Sequence, residues 1–304
     1  MRFLTVPVIL VLIATGFILK SIIRKDGIFN FIGILANDIL LSFFVLASIA
    51  GRSLAYLIDL EEVFFYVVAV LILCLGSSLI YGRYFIREDR GWRGTLMVLS
   101  IFPNTAALGF PLVAIFTADL TPAVLYSAAS SLLAIPLATF LTIRYSQDNN
   151  ALKETVARTF SFPPVTVSLL SLILVLSGIR LPVKLINLSQ AIGWWCLPLM
   201  LVYFGSRLQF RNIPVRKILE TGFFRIILPF FLVWLTLRAR SESVFYAVLI
   251  ESSMPPAIMA ASILARHRLK AEESTAVTLV LTLAAILLIF LLKISGFGAS
   301  LAGL

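Results

Sequence analysis

The feature that most constrains this chain is a succession of apolar runs, each roughly 17 to 24 residues long, separated by short charged segments. A helix needs about 20 apolar residues to cross the hydrocarbon core of a bilayer. Hydrophobic residues make up 60% of the 304 residues and charged residues only 13%, whereas soluble domains average about 25% charged residues. The sequence therefore predicts an all-α polytopic membrane protein and excludes a water-soluble fold.

Ten of these runs are predicted to be transmembrane spans. Their approximate bounds are 3–23, 28–50, 63–82, 94–117, 121–143, 163–178, 185–205, 217–237, 243–265 and 274–294. The second run gives the weakest of the ten predictions, because it contains the polar pair Asn37 and Asp38.

The net charge of +10 does not indicate a nucleic-acid partner, because the Lys and Arg residues lie between the apolar runs and form no continuous basic face. Of the 25 Lys and Arg residues, 17 lie in, or at the span ends beside, connections that follow odd-numbered spans, and 7 lie in or beside the other connections and the termini. The last one, Arg225, falls inside span 8. Under the positive-inside rule this bias predicts a multi-pass protein of the plasma (inner) membrane with both termini extracytoplasmic.

The longest polar stretch, 145–160, divides the chain into two sets of five spans, 1–144 and 161–304. We interpret this stretch as a cytoplasmic connecting loop. An odd number of spans in each half forces the halves into opposite orientations, which is the inverted-repeat arrangement of many secondary transporters. A shift of 155 residues aligns the five spans in order and places Arg52 on Arg207, each at the end of an apolar run.

Two spans carry proline near the middle of the membrane. Span 4 contains Pro103 and Pro111, and span 9 contains Pro255 and Pro256. A proline inside a helix removes one N–H donor and clashes with the carbonyl four residues earlier, so both spans are predicted to break. Irregular backbone at this depth is tolerated only where it is buried in protein or lines a wet cavity. The free helix ends then suit an anion or a cation, which makes the two breaks the strongest functional signal in the chain.

Polar side chains accompany both breaks. Glu251 lies four residues before Pro255 in an apolar segment, where a carboxylate needs a partner, a proton or a cation. It is the best candidate for coupling to H⁺ or Na⁺, and a structural pair with a basic residue is the alternative. Asn104 offers an amide donor and a carbonyl acceptor beside the other break. Asp38 is the other acid inside a predicted span, either as a site residue or as a solvated end residue.

Enzyme and metal chemistry have little support in the sequence. The chain has one histidine, His267, and two cysteines that are not clustered, so no transition-metal site or other cofactor is predicted. HExxH, GxSxG, Walker A and dinucleotide-binding motifs are all missing. We therefore do not expect an enzyme.

The polar and proline residues of the two broken spans resemble a known family. The run 104–111 resembles the N-x-G-x-x-G-x-P signature of span 4 in the auxin efflux carrier family, and 253–257 resembles the Met-Pro motif of its span 9. The run 194–208 is similar to span 7 of that family. Ala106 stands where the family has its first glycine, and span 2 lacks the proline expected near Phe43.

The resemblance implies ten helices in two inverted five-helix repeats, in which the broken helices of spans 4 and 9 cross in an elevator-type transport domain beside a scaffold domain. This fold is similar to that of sodium/proton antiporters and bile-acid symporters. Plant members of the family export auxin, and bacterial relatives carry malate or malonate. The short central loop resembles that of compact, prokaryotic-type members. A homodimer is also implied.

The expected function is secondary transport of a small organic anion by alternating access, with a channel or sensor on a transporter-like fold as the alternative. The expected partners are the anion and the lipid bilayer. The predicted substrate or ion site consists of Asp38, Pro103, Asn104, Gly109, Pro111, Glu251, Ser252, Ser253, Met254, Pro255 and Pro256.

Overall fold

A computed structural model describes residues 5–146, 162–208, 215–238, 241–267 and 269–294. The described part is helical and contains no β-strand beyond one isolated bridge. The helices are α1 (Val6–Ile23), α2 (Asp26–Ile34), α3 (Leu41–Ala50), α4 (Leu54–Ile58), α5 (Glu61–Phe85), α6 (Arg90–Ile101), α7 (Phe110–Val113), α8 (Thr121–Tyr145), α9 (Pro163–Leu176), α10 (Val183–Gly193), α11 (Cys196–Ser206), α12 (Val215–Gly222), α13 (Leu228–Thr236), α14 (Glu242–Ser252), α15 (Ile258–Arg266) and α16 (Ala271–Ile294).

Three π-helical segments continue directly into the helices that follow them, and the first and third also continue the helices before them. They are π1 (Leu35–Leu40), π2 (Thr105–Gly109) and π3 (Phe223–Ile227). Pro111 and Pro229 each lie two residues after the end of a π segment. Proline cannot donate to the carbonyl four residues back and clashes with it, so the wider π turn accommodates the ring.

The protein is an all-α membrane protein. Six helical rods in the described ranges, two of them with a two-residue turn inside, are long and apolar enough to cross a bilayer: Asp26–Ala50, Leu54–Phe85, Thr121–Tyr145, Val183–Ser206, Val215–Thr236 and Glu272–Leu291. Two shorter apolar helices, Pro7–Ile23 and Pro163–Leu176, accompany them. The second predicted span, despite Asn37 and Asp38, is one of the six rods.

The helices pack in two sets. The first helix group consists of α1, α2, α3, α9, α10 and α11 together with π1. Within it α1 packs along α11, while α3 packs against both α9 and α10. The contact between α1 and α11 is close, because a Cβ atom built on Gly205 would lie only 2.0 Å from the carbonyl oxygen of Ile13. Glycine at this position therefore allows the two helix backbones to touch.

The second helix group consists of α5 to α8 and α12 to α16, with π2 and π3. In this group α6 and α14 lie against α8 and α5, and α16 covers α12 and α15. The two groups meet where α3 and α9 contact α8 and where α11 contacts π2. The ends of the chain, 1–4 and 295–304, and nearly all of the predicted loop 145–160 lie outside the described residues.

Candidate functional site at a helix crossing

Two spans of the second helix group are interrupted. The helix α6 ends at Ile101 and π2 begins at Thr105, while α14 ends at Ser252 and α15 begins at Ile258. The interruptions contain Pro103, Pro255 and Pro256, as the sequence predicts. Pro111 behaves differently from the prediction. It lies inside the second half of span 4, because π2 absorbs its ring without ending the helix.

The two interruptions cross and are joined by a short antiparallel bridge in which Pro103 faces Pro256. The N–H of Asn104 donates to the carbonyl oxygen of Pro255 at 2.8 Å, and the N–H of Ala257 donates to that of Phe102 at 2.8 Å. In this type of pair the two facing residues exchange no hydrogen bonds with each other. Proline, which has no N–H, therefore fits both facing positions without leaving a ladder bond unmade.

Glu251 lies at the crossing, in the last turn of α14. Its side chain is 0% exposed, and neither carboxylate oxygen has a hydrogen-bond partner among the described residues. It lies against Gly109 of π2, because a Cβ atom built on Gly109 would be 2.1 Å from Oε2 of Glu251. A buried carboxyl without a donor is expensive unless it takes up a proton, a cation or another ligand.

Asn104 adds an unpartnered donor on the other interrupted span. Its side chain is 5% exposed, and the amide nitrogen Nδ2 has no acceptor in the part of the chain that the structure describes. The backbone carbonyl of Asn104 accepts from the N–H of Gly109 at 3.1 Å, which starts the π2 turn. The N–H groups of residues 105–108 therefore have no acceptor within their own helix. Amide donors in this arrangement suit the oxygens of an anion.

Arg225 of π3 lies beneath the same crossing, with a side chain that is 1% exposed. Its Nε donates to the carbonyl oxygen of Met254 at 3.0 Å, and its Nη1 donates to that of Ser100 at 2.9 Å. Its Nη2 donates to the carbonyl oxygen of Ser252. These three carbonyls lie at or just beyond the C-terminal ends of α6 and α14, where the helix dipole favours a cation.

The other residues predicted for span 9 are buried but already engaged. The hydroxyls of Ser252 and Ser253 both donate to the carbonyl oxygen of Leu249, at 3.0 and 2.9 Å. The side chain of Met254 is 1% exposed, and its carbonyl is bound by Arg225. The two serines therefore retain only their acceptor lone pairs for a ligand.

Asp38 is in a different place from the other predicted site residues. It is half-buried in π1 of the first helix group, and the segment packs against α9 and α11. The hydroxyl of Ser42 donates to its backbone carbonyl at 2.6 Å. The crossing itself is thus formed without Asp38.

A large cavity lies between the two helix groups near the end of α7. Its volume is about 1050 Å³, and its lining includes Trp194, Asn187 and Gln190 from the first group and residues 114–118 from the second. Aromatic rings lead from it towards the crossing. The Phe44 ring lies 5.6 Å from that of Trp194 and 5.7 Å from that of Phe110, measured between centroids. Phe110 directly follows Gly109 in the chain.

Two polar clusters lie away from the crossing. At the end of α3, Arg52 donates to Asp119 at 2.6 Å, and Tyr56 and Thr121 also donate to that carboxylate. Burial opposes ionisation of Asp119, but these hydrogen bonds and the charge of Arg52 lower its pKa below the ordinary value of 3.8. Through Asp119, Arg52 ties the first helix group to the loop between α7 and α8.

The second cluster surrounds the buried carboxylate of Glu220 on α12. It accepts hydrogen bonds from Trp92 Nε1 at 2.8 Å, Tyr81 Oη at 2.9 Å and Arg216 Nε at 2.7 Å. This cluster joins α5, α6 and α12. Unlike Glu251, Glu220 is a satisfied carboxylate, which makes it a natural control for experiments at the crossing.

Sequence reasoning missed the role of Arg225, although the signal for it was available. Arg225 lies well inside a predicted span, away from its ends, and ionisable residues within a membrane default to a functional role. At the crossing, the close approach that requires a glycine is that of Gly109 to the side-chain carboxyl of Glu251. The sequence has no match among protein-family models or among curated proteins.

Proposed function

We propose that this protein is a secondary transporter that moves a small organic anion across the plasma membrane, with the helix crossing as its binding site. The observation that carries the proposal is the bridge between two interrupted helices, flanked by a buried donor on Asn104 and a buried carboxyl on Glu251 that have no hydrogen-bond partners among the described residues. Broken helices at membrane depth are typical of the binding sites of secondary transporters.

The anion would bind where donors are free. The amide Nδ2 of Asn104 and the N–H groups of 105–108 form a set of donors at one end of a half-helix, and they match a carboxylate. Glu251 lies beside this set and would serve as the coupling residue. Substrates with one carboxylate, and dicarboxylates such as malate and malonate, all present the required oxygens.

The packing of the helices supports an elevator-type mechanism. The first helix group would be the scaffold, and the second, which contains the crossing, would be the transport domain. The cavity beside Trp194 lies between the two groups and would give the anion access from one side. The same proposal includes membership of the auxin efflux carrier family, ten spans in two inverted repeats, and a homodimer.

The bridge also supports an internal two-fold relation between the halves. It pairs Pro103 with Pro256, which lie 153 residues apart, close to the shift of 155 residues that aligns the spans of the two halves. Inverted repeats related in this way generate alternating access when one body moves against the other.

Uptake into proteoliposomes tests the proposal. Candidate labelled carboxylates, including malate, malonate and indole acetate, would first be screened by ligand-dependent thermal stabilisation. We expect at least one to show saturable uptake that is stimulated by unlabelled substrate on the opposite side. Large single-channel currents without counterflow would favour a channel, and the absence of any saturable uptake would reject the transporter.

A further inference from the structure

We infer that Arg225 is a permanent internal cation of the crossing and that it occupies the carbonyl oxygens that a sodium ion would bind. Transport is then independent of sodium and is coupled to protons at Glu251. This inference rests on the proposed function. It goes further by assigning a role to Arg225 and by choosing between the two coupling ions.

The free carbonyls that Arg225 binds follow directly from the prolines. In a continuous helix the carbonyl of Ser252 would accept from the N–H four residues later, but that residue is Pro256 and has no N–H. The carbonyl of Ser100 likewise loses its helical donor, because the N–H of Asn104 is engaged with Pro255. Arg225 supplies hydrogen bonds to both carbonyls, and to that of Met254.

These oxygens are the ones that a metal cation would need. Unwound carbonyls and the C-terminal ends of half-helices are the groups that coordinate sodium in transporters with broken helices. The guanidinium is already bound to three of them from a single side chain, and the two half-helices are thereby held together. Arginine does not lose its proton in proteins, so the site stays filled by a fixed charge throughout the cycle.

Glu251 is left as the group that can exchange an ion. Among the described residues, no cluster of three or more acids, histidines or cysteines surrounds it to form a cation site, whereas hard cations take several oxygen ligands. A proton needs only the carboxylate. Protonation also removes the cost of a buried charge. When Glu251 takes up a proton, its negative charge is neutralised. An anion bound at Asn104 would then provide a negative charge at the crossing in its place.

Few charged or titratable groups face Glu251. Tyr126 of α8 is within electrostatic range of Glu251, and also of Arg225 and of Cys74 on α5. α14 also packs against α5, which carries Tyr66, Cys74 and Tyr81 among its titratable residues, and against α7, α13 and π2, whose sequences contain none. The proton occupancy of Glu251 is thus governed by burial and by whatever anion binds beside it.

The first test compares ions with the wild-type protein in proteoliposomes, at fixed pH and with the membrane potential clamped. Replacing sodium by choline should change the initial uptake rate by less than about twofold, because an ion that binds no state of a carrier cannot shift its equilibria. An inward proton gradient should raise the rate. A fall of about tenfold on removal of sodium, or no response to the proton gradient, would overturn the inference.

A second test needs no substrate. Sodium chloride should stabilise the purified wild-type protein against heat no more than choline chloride does, since only a ligand of the folded state shifts the midpoint. Arg225→Gln, which frees the three carbonyls, should acquire sodium-specific stabilisation. Arg225→Lys retains the charge, so its thermal stability should not depend on sodium. This variant keeps the test usable if Arg225→Gln fails to fold. Sodium-specific stabilisation of the wild type would contradict the role of Arg225.

The two tests distinguish a failure of the inference about Arg225 from a failure of the proposed transport function. Saturable uptake that depends on sodium would reject the inference and leave the transporter intact. If no carboxylate is taken up in either medium, the proposed function fails, and the thermal experiment still decides whether Arg225 excludes sodium. In Glu251→Gln, uptake should lose its response to the proton gradient and stay independent of sodium. An unchanged response would remove Glu251 from the coupling step.

Discussion

Pro103 and Pro256 face each other at the centre of a backbone bridge that joins two interrupted helices. Each proline ends its own helix, and the same missing N–H makes it suitable for the facing position of the bridge. The two hydrogen bonds of the bridge, each 2.8 Å long, come from the neighbours Asn104 and Ala257. One chemical property of proline thus both opens the helices and allows them to be joined.

The contrast between Glu251 and Glu220 predicts opposite effects of the same substitution. Glu220→Gln should destabilise the protein by about 1–3 kcal/mol, because three donors lose a charged acceptor. Glu251→Gln should raise the thermal midpoint at alkaline pH, because it removes a buried acid to which no group in the described part of the chain donates. Thermal unfolding of the two purified variants in detergent gives the comparison. A loss at Glu251 as large as that at Glu220 would mean that Glu251 has a structural partner.

The contact between Gly109 and Glu251 predicts a steric coupling between the two positions. In Gly109→Ala the new methyl group would lie 2.1 Å from Oε2, so the carboxyl must move. We expect a loss of stability of about 1–3 kcal/mol from overpacking and a loss of transport. In a Glu251→Ala background the same change should cost much less. Thermal unfolding of the four proteins forms a double-mutant cycle, and additive effects would show that the contact is not made.

Asn104 should control substrate affinity more than turnover. Asn104→Ala removes the free Nδ2 donor, and a hydrogen bond to a charged group contributes about 1.5–3 kcal/mol, so KM should rise by roughly tenfold or more. Asn104→Asp has nearly the same shape but should raise KM further, because it adds a negative charge beside the anion. Uptake kinetics in proteoliposomes measure both. Equal KM values in all three proteins would place the anion elsewhere.

The cluster around Asp119 predicts a loss of stability in acid. Because its pKa is lowered in the folded protein, this carboxyl stabilises the fold above the unfolded value of 3.8, and that contribution disappears as the pH falls through the folded pKa. The contribution should be about 1 kcal/mol or less, since the Arg52 side chain is 40% exposed. Asp119→Asn should flatten the pH dependence of unfolding below pH 4 or so. An identical acid profile for the variant would exclude Asp119 as the cause.

Much of the fold follows from local chemistry that is readable in the sequence. Long apolar runs specify membrane-length helices, and the proline pairs specify where spans 4 and 9 are interrupted. Pro111 shows the limit of this reasoning. Whether a proline ends a helix or is accommodated by a π turn depends on the packing around it, and the residues of π2 are as apolar as those of an ordinary helix.

The site was only partly predictable for a similar reason. Glu251 and Asn104 could be identified because polar residues beside a break are conspicuous in an apolar span. The pairing of Arg225 with three carbonyls joins residues that are far apart in sequence, and the chain offers no local pattern for it. Asp38 was included because it is an acid within an apolar run, a property that does not specify which helices it faces.

The guanidinium of Arg225 also determines how the crossing would respond to voltage. With Glu251 ionised and no substrate bound, the two buried charges sum to zero. With Glu251 protonated and a monovalent anion bound, the sum is again zero. A membrane potential does work of about 2.3 kcal/mol per elementary charge for each 100 mV, so neither form would be driven or held back by it as it crosses. The resting potential of a cell, which repels anions from the cytoplasm, would then not oppose the accumulation of this substrate.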